Sequence, residues 1–223
     1  KNDTHTMLTL PRVVVTRTKT GKPTTKREEG HTLRFIDALT DEQSAAIAQA
    51  GADASEAAAL AEASESNGAA AAAAFFRMRE GDLPCPVDAN GRRLGQGDHW
   101  RALSGRALSD SAATRAMNAG RAATLAPASA SLPVHTLQDV GKTLKARAKR
   151  VAEESGGSIR PADAEASLAK QVNDAAEEVA REEITGSEAR TAVLGSIDPE
   201  RGESSAKADS KRLADAREAR ESA

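Results

Sequence analysis

Thr136-Leu-Gln-Asp-Val-Gly-Lys-Thr-Leu-Lys-Ala-Arg-Ala-Lys-Arg-Val-Ala-Glu-Glu154, followed by Ser155-Gly-Gly-Ser-Ile-Arg160 and then Pro161-Ala-Asp-Ala-Glu-Ala-Ser-Leu-Ala-Lys-Gln-Val-Asn-Asp-Ala-Ala-Glu-Glu-Val179, is the stretch that decides the fold. Leu137, Val140, Leu144 and Val151 fall at heptad-like spacings on one face of a helix, and Leu168, Val172, Ala175 and Val179 repeat the 3.6 period after Pro161. Thr136 with Asp139 reads as a capping box, Gly156-Gly157 ends the first helix, and Pro161 suits the first turn of the second. Two stripes joined by so short a link predict an antiparallel helix pair. Lys142, Lys145, Lys149 and Arg150 lie away from the Leu-Val stripe and form a small basic face.

Working outward, Thr40-Asp41-Glu42-Gln43 is a second capping-box arrangement, which predicts a helix through Ala50. Gly51 reads as an interruption before a helix from Asp53 to Ser64, and Asn67-Gly68 as a break before Ala69 to Arg79. Gly81 to Trp100 carries Pro84, Pro86, Gly91, Gly95 and Gly97 and reads as an irregular segment dividing the chain. The Arg101-Ala-Leu-Ser and Arg106-Ala-Leu-Ser repeat has an offset of five residues, which does not return to one helical face. Towards the end, Ser187 to Leu194 reads as a brief helix and Glu203 to Ala223 as a charged tail with Leu213 as its one large apolar anchor.

The N-terminal residues are of another kind. Val13-Val-Val-Thr-Arg-Thr-Lys-Thr20 followed by Gly21-Lys22-Pro23 reads as a strand entering a turn, because β-branched side chains suit a pleated surface and Gly and Pro punctuate it. The organisation expected is a basic β-like arm (1–39), an Ala-rich helical region (40–80), a Pro/Gly-rich loop (81–100), a helical region with the helix pair (101–195) and a charged tail (196–223). The fold class is mainly α, with extended or loosely packed Ala-rich helices and a short N-terminal β-like arm or hairpin.

Composition limits what such helices bury. Of 223 residues 48 are Ala, while Leu, Ile, Val and Phe together number 34, or 15%. That lies below the roughly 20% at which disorder is suggested, yet the companion criterion of high net charge fails, because the formal charge is −2. Three Phe, one Trp and no Tyr leave little aromatic area to bury. Small-faced helices gain stability where backbones approach closely or where a partner supplies the larger side chains. No apolar run is long enough to span a bilayer, so membrane insertion is not expected. The single Cys excludes an internal disulfide and points to an intracellular protein; since the chain begins at Lys1 and not Met, its compartment stays open.

No segment carries a recognisable constellation for catalysis. Asp139-Val-Gly141-Lys142-Thr143 ends like a phosphate-binding loop, but Thr136 stands where the upstream glycine belongs and the local pattern is helical. His5, His31, His99 and His135 are dispersed, so no metal is expected. Cys85 sits between two prolines and reads as a small apolar loop residue. No cofactor is expected either. Charge asymmetry is the more useful feature: residues 1–30 hold seven basic side chains against three acidic ones, so the arm is cationic and the remainder acidic. Arg12, Arg17, Lys19, Lys22, Lys26 and Arg27 are the candidate contacts of that arm. Phe75 and Phe76 read as anchoring their helix in a core or an interface and, with Trp100, are the candidate interaction hot spot, since large apolar side chains are so scarce, and Leu137, Val140 and Leu144 are a candidate helix-pairing face.

His31-Thr32-Leu33 is answered by His135-Thr136-Leu137, and Ala52-Asp53-Ala54 by Ala162-Asp163-Ala164, in the same order, which suggests one unit used twice. On Thr136 to Leu144, Asp163 to Val172 and Asn67-Gly68-Ala69-Ala70 the chain resembles the seed maturation protein repeat of late-embryogenesis-abundant proteins. It lacks that family's Lys-Pro-Val step and its double Gly before the tail. The resemblance implies a non-catalytic, hydrophilic, protective protein and transfers no catalytic residue.

Taken together the residues point to a non-catalytic structural component that orders on a larger complex or in an oligomer, through Ala-rich helices and the basic arm. A nucleic-acid-binding accessory protein using the arm is the first alternative, and a hydrophilin-like protective protein the second.

Overall fold

The computed structural model describes residues 5–17, 23–59, 65–105, 109–184 and 186–207. It is mainly helical, with one antiparallel hairpin at the N-terminal end, as the sequence implies. Strand β1 (Thr6–Arg17) pairs with β2 (Pro23–Phe35) from Thr6 opposite Phe35 to Arg17 opposite Pro23. The register shifts between Thr9 and Pro11, where Gly30 lies so close to the Leu10 carbonyl that a β-carbon there would collide with it.

Helix α1 (Asp41–Ala59) begins with the expected capping box fully formed. The Gln43 amide donates to Thr40 Oγ1 at 3.1 Å and the Thr40 amide donates to Gln43 Oε1 at 3.0 Å, which satisfies two amides that a helix start leaves orphaned. The helix then runs straight through Gly51, where an interruption was expected. A β-carbon on Gly51 would sit 2.9 Å from Leu10 Cδ1, so the glycine lets α1 lie flat on β1 and does not break the helix. One turn later the Val13 amide, which points away from β2, donates to Ser55 Oγ at 2.9 Å inside the core. The outer edge of β2 is met near its end by the loop after the second helix, where the Val87 amide donates to the Arg34 carbonyl at 2.8 Å.

The rest of the chain is helical: α2 (Glu65–Glu80), α3 (Gln96–Ser104), α4 (Asp110–Leu125), a 3-10 turn (Pro127–Ser131), α5 (Val134–Glu154), α6 (Pro161–Arg181), α7 (Gly186–Gly195) and a further helical stretch over residues 199–207. Helix α4 lies at the centre. On one side a β-carbon at Gly120 would strike the Ala72 carbonyl of α2, and on the other a β-carbon at Gly141 of α5 would strike the Asn118 carbonyl of α4. Three helices therefore meet nearly backbone to backbone, which is how Ala faces with little area each come to exclude water. The buried side chains form one continuous cluster from Leu10 in β1 to Ile197 after α7. Of the two routes to stability that small-faced helices have, close backbone approach is the one seen at these contacts, where the few large side chains are enclosed.

Several local expectations are corrected. Asn67-Gly68 does not break α2, and Gly68 faces Val134 Cγ2 at β-carbon contact distance, 3.3 Å. The segment expected to divide the chain is shorter, residues 81–95, and joins α2 to the hairpin through Val87 and Arg34. Helix α5 starts at Val134 with Pro133 as its N-cap, so Thr136 makes no capping box: its hydroxyl is buried without a described partner, and Asp139 pairs instead with Arg190 at 2.6 Å. Gly141-Lys142-Thr143 lies inside that helix, where the Thr143 hydroxyl donates to the Asp139 carbonyl at 2.8 Å. The two halves of the suggested repeat differ in kind, since His31-Thr32-Leu33 belongs to strand β2 and His135-Thr136-Leu137 to helix α5. Helices α5 and α6 do form the expected pair, packed on each other across residues 155–160. Arg106, Leu108 and Leu213 lie outside the described residues.

Gly141→Ala tests the central contact. Alanine gains about 1 kcal/mol in helix propensity, whereas forcing a methyl group against fixed backbone costs up to about 3 kcal/mol. The expected outcome is a net loss of about 2 kcal/mol in urea unfolding followed by circular dichroism, while Ala146→Gly on the exposed side of the same helix loses only its propensity, about 1 kcal/mol.

Candidate functional site

The candidate contact residues fall into two groups. Phe75 and Phe76 on α2 are 0% and 6% exposed, and Leu137, Val140 and Leu144 are wholly buried. These five are core of this chain and present no surface to a partner. Their scarcity is the reason: a chain with so few large apolar side chains uses nearly all of them to close its own interior. Trp100 of α3 is half-buried and lies against Phe75, ring centroids 4.9 Å apart.

The basic group behaves otherwise. Arg12 is exposed on β1 and Lys26 on β2, where its Nζ lies 3.3 Å from Glu28 Oε1. Arg17 and Arg27 belong to the paired strands, Arg17 opposite Pro23 and Arg27 opposite Val13, but their side chains are outside the described set. Lys19 and Lys22 are outside the described residues altogether. A second basic surface is carried by α5, whose Lys142, Lys145, Lys149 and Arg150 are all exposed on the side away from α4.

Two inward constellations were not legible in the sequence. The first joins three helices: Arg121 of α4 is 7% exposed, its guanidinium lies 5.1 Å from the centroid of the Phe76 ring, and its Nη1 donates to Glu165 Oε1 of α6 at 2.5 Å. A charge this deeply buried needs its partner, and the cation–π contact fills the remaining face of the guanidinium. Replacement of Glu165 by Ala leaves that cation unpaired and is expected to cost about 3 kcal/mol in unfolding free energy.

The second surrounds His99 of α3, which is fully buried, packs edge-on against Phe75 at 4.9 Å, and holds its Nδ1 3.7 Å from Cys85 Sγ. Arg79 Nη1 lies 4.0 Å from the same sulfur and donates to the Leu94 carbonyl at 2.6 Å, while Arg93 Nη2 donates to the Arg79 carbonyl at 2.6 Å and so closes the end of α2. Burial first, and then the positive charges of Arg79 and Arg93, push His99 down to about 3. A histidine so depressed takes no proton near neutral pH, so it is a poor base for the Cys85 thiol beside it. The Cys85–His99 pairing is invisible in the sequence because the loop between α2 and α3 folds back to bring the two together.

Beside Cys85 an open hollow of about 290 Å³ is lined by Phe35, Ile36, Met78 and Pro84, and another of about 310 Å³ lies between Asp139, Arg190, Leu194 and Ser205. Among the described residues no group of three or more His, Cys, Asp or Glu side chains is arranged to hold a metal ion, and no helix is long and apolar enough to cross a membrane.

The depressed His99 gives stability a signed pH dependence. Unfolding returns it to an ordinary value near 6.5, so below that pH the unfolded chain binds a proton that the folded chain refuses. Stability is expected to fall as pH drops from 6.5 towards 5, by up to about 1.4 kcal/mol per pH unit. His31, lowered by burial in the same direction, adds to the trend. Urea midpoints at several pH values read the slope, which His99→Met should flatten whatever it does to absolute stability.

Comparison with protein-family models, with curated proteins and with solved structures finds no match to this chain.

Proposed function

We propose that this chain acts by contact and not by catalysis, as a structural component of a larger assembly whose acidic surface its basic hairpin engages. The observation that supports this reading is how the hairpin is mounted. Its base is built into the core through Leu10, Val13, Leu33 and Phe35, and is fastened on one edge by Ser55 and on the other by Val87. Strand pairing then continues beyond Val13 to Arg17 opposite Pro23. A hairpin held rigidly at one end and cationic along its length costs little ordering entropy on docking, which favours affinity for a surface of opposite charge. A nucleic acid is the alternative ligand class for the same arm.

Site-specific photocrosslinking tests the proposal. A crosslinking side chain in place of Arg12 should trap one discrete protein adduct in an extract of the source cells, and Lys26→Glu in the same chain should abolish it. The same side chain in place of Lys170 on α6 should trap none. No adduct at Arg12, or the same set of adducts at both positions, contradicts the reading; a nuclease-sensitive adduct at Arg12 transfers the arm to the nucleic-acid class.

A further inference from the structure

The outer face of α5 carries a dense row of exposed cations, Lys142, Lys145, Lys149 and Arg150. Five arginines elsewhere in the body are matched by nearby carboxylates: Arg77 with Asp82, Arg101 with Asp98 and Asp110, Arg121 with Glu165, Arg160 with Asp163, Arg190 with Asp139. On α5, by contrast, Lys142, Lys145, Arg147 and Arg150 make no ion pair or side-chain hydrogen bond with any described residue, and Lys149 has one exposed partner, Glu153, at 3.6 Å. A chain with more acidic than basic residues has placed five cations within three turns of one helix, four of them without an ion pair to a described carboxylate. The opposite face of the same helix, Leu137, Val140, Leu144 and Ala148, is buried, so the row is held rigidly.

We infer that this α5 face binds the phosphate backbone of double-stranded nucleic acid without reading its sequence. The surface is separate from the hairpin, and the inference does not rest on the function proposed above. Three features favour this ligand. First, the row from Lys142 to Arg150 spans about 12 Å of helix axis, a length over which a duplex presents several phosphates that lysine and arginine neutralise with release of counterions. Second, the large apolar side chains exposed among the described residues are Met7, Ile36 and Ile159, none of them on this face, so it lacks the apolar centre that protein–protein interfaces use. Third, no exposed aromatic ring stands among the cations to stack unpaired bases, which sets a duplex ahead of a single strand. Glu153 and Glu154 bound the row at its C-terminal end.

Fluorescence anisotropy of a labelled DNA duplex of about 20 bp tests this directly. The chain is expected to bind in low salt, with log K falling against log salt at a slope of about −3 to −4, as four phosphate contacts require. A variant carrying Lys142→Gln, Lys145→Gln, Lys149→Gln and Arg150→Gln should retain its circular dichroism spectrum and lose at least about tenfold in affinity. Lys170→Gln with Arg181→Gln on α6 should leave duplex binding unchanged, which separates the α5 face from exposed cations elsewhere in the body. The inference is overturned if no binding is seen up to about 100 µM chain in low salt, if the four-glutamine variant binds as the original does, or if a single strand of equal length binds tighter. Equal binding of a poly-glutamate peptide on the same residues would also overturn it and assign the face to an acidic protein.

Discussion

Everything in this fold depends on how closely α4 can be approached. With no β-carbon at Gly120, the Ala72 carbonyl of α2 comes in on one side, and with none at Gly141 of α5, the Asn118 carbonyl of α4 fits on the other. Dispersion falls steeply with distance, so helices that carry little more than methyl groups must nearly touch before their contacts amount to much. Once they do, the sparse larger side chains can be pooled in one interior: Phe35 and Leu10 from the hairpin, Ile47 from α1, Phe75 and Met78 from α2, Leu137 and Leu144 from α5. The buried Arg121–Glu165 pair then ties α4 to α6, with Phe76 of α2 against the guanidinium.

The same economy accounts for the surface. Because nearly every bulky apolar residue is spent inside, the described exterior is left to charge, and contact with other molecules falls to electrostatics more than to apolar anchors. Five of the body arginines, Arg77, Arg101, Arg121, Arg160 and Arg190, are held by neighbouring carboxylates. The hairpin and the outer face of α5 each present exposed positive charge, at Arg12 and Lys26 and at Lys142, Lys145, Lys149 and Arg150. Both are mounted rigidly, one by Ser55 and Val87, the other by a fully buried inner stripe.

Elements whose signals are local were legible in the sequence. The Thr40–Gln43 box appears atom for atom, the stripes of α5 and α6 pack as their periodicity requires, and the β-branched arm is a hairpin. What misled was the meaning of glycine. Gly51 and Gly68 look like breaks in the sequence, yet each lies within a helix at a point of close approach, and whether a glycine interrupts or admits a neighbour depends on residues far away in the chain. Helix α4 carries Ala113, Ala116, Ala119 and Ala123 where a bulky stripe would announce it, so its central place could not be read from hydrophobic pattern. Scarcity left Phe75 and Phe76 open to a core or an interface, and the core takes them, because a chain short of large side chains buries them first. The Cys85–His99 contact and the Arg121–Glu165 pair join residues by tertiary folding alone, which no spacing encodes.

Close backbone contact lets this one chain enclose its own core. The most direct measurement is equilibrium urea unfolding of the isolated chain over a hundredfold range of concentration, with sedimentation equilibrium to fix its mass. The account predicts a helical monomer that unfolds in a single cooperative transition whose midpoint does not move with concentration. A midpoint that rises with concentration, or a chain without helix when dilute, would mean that the core is completed only by another molecule, and would contradict it.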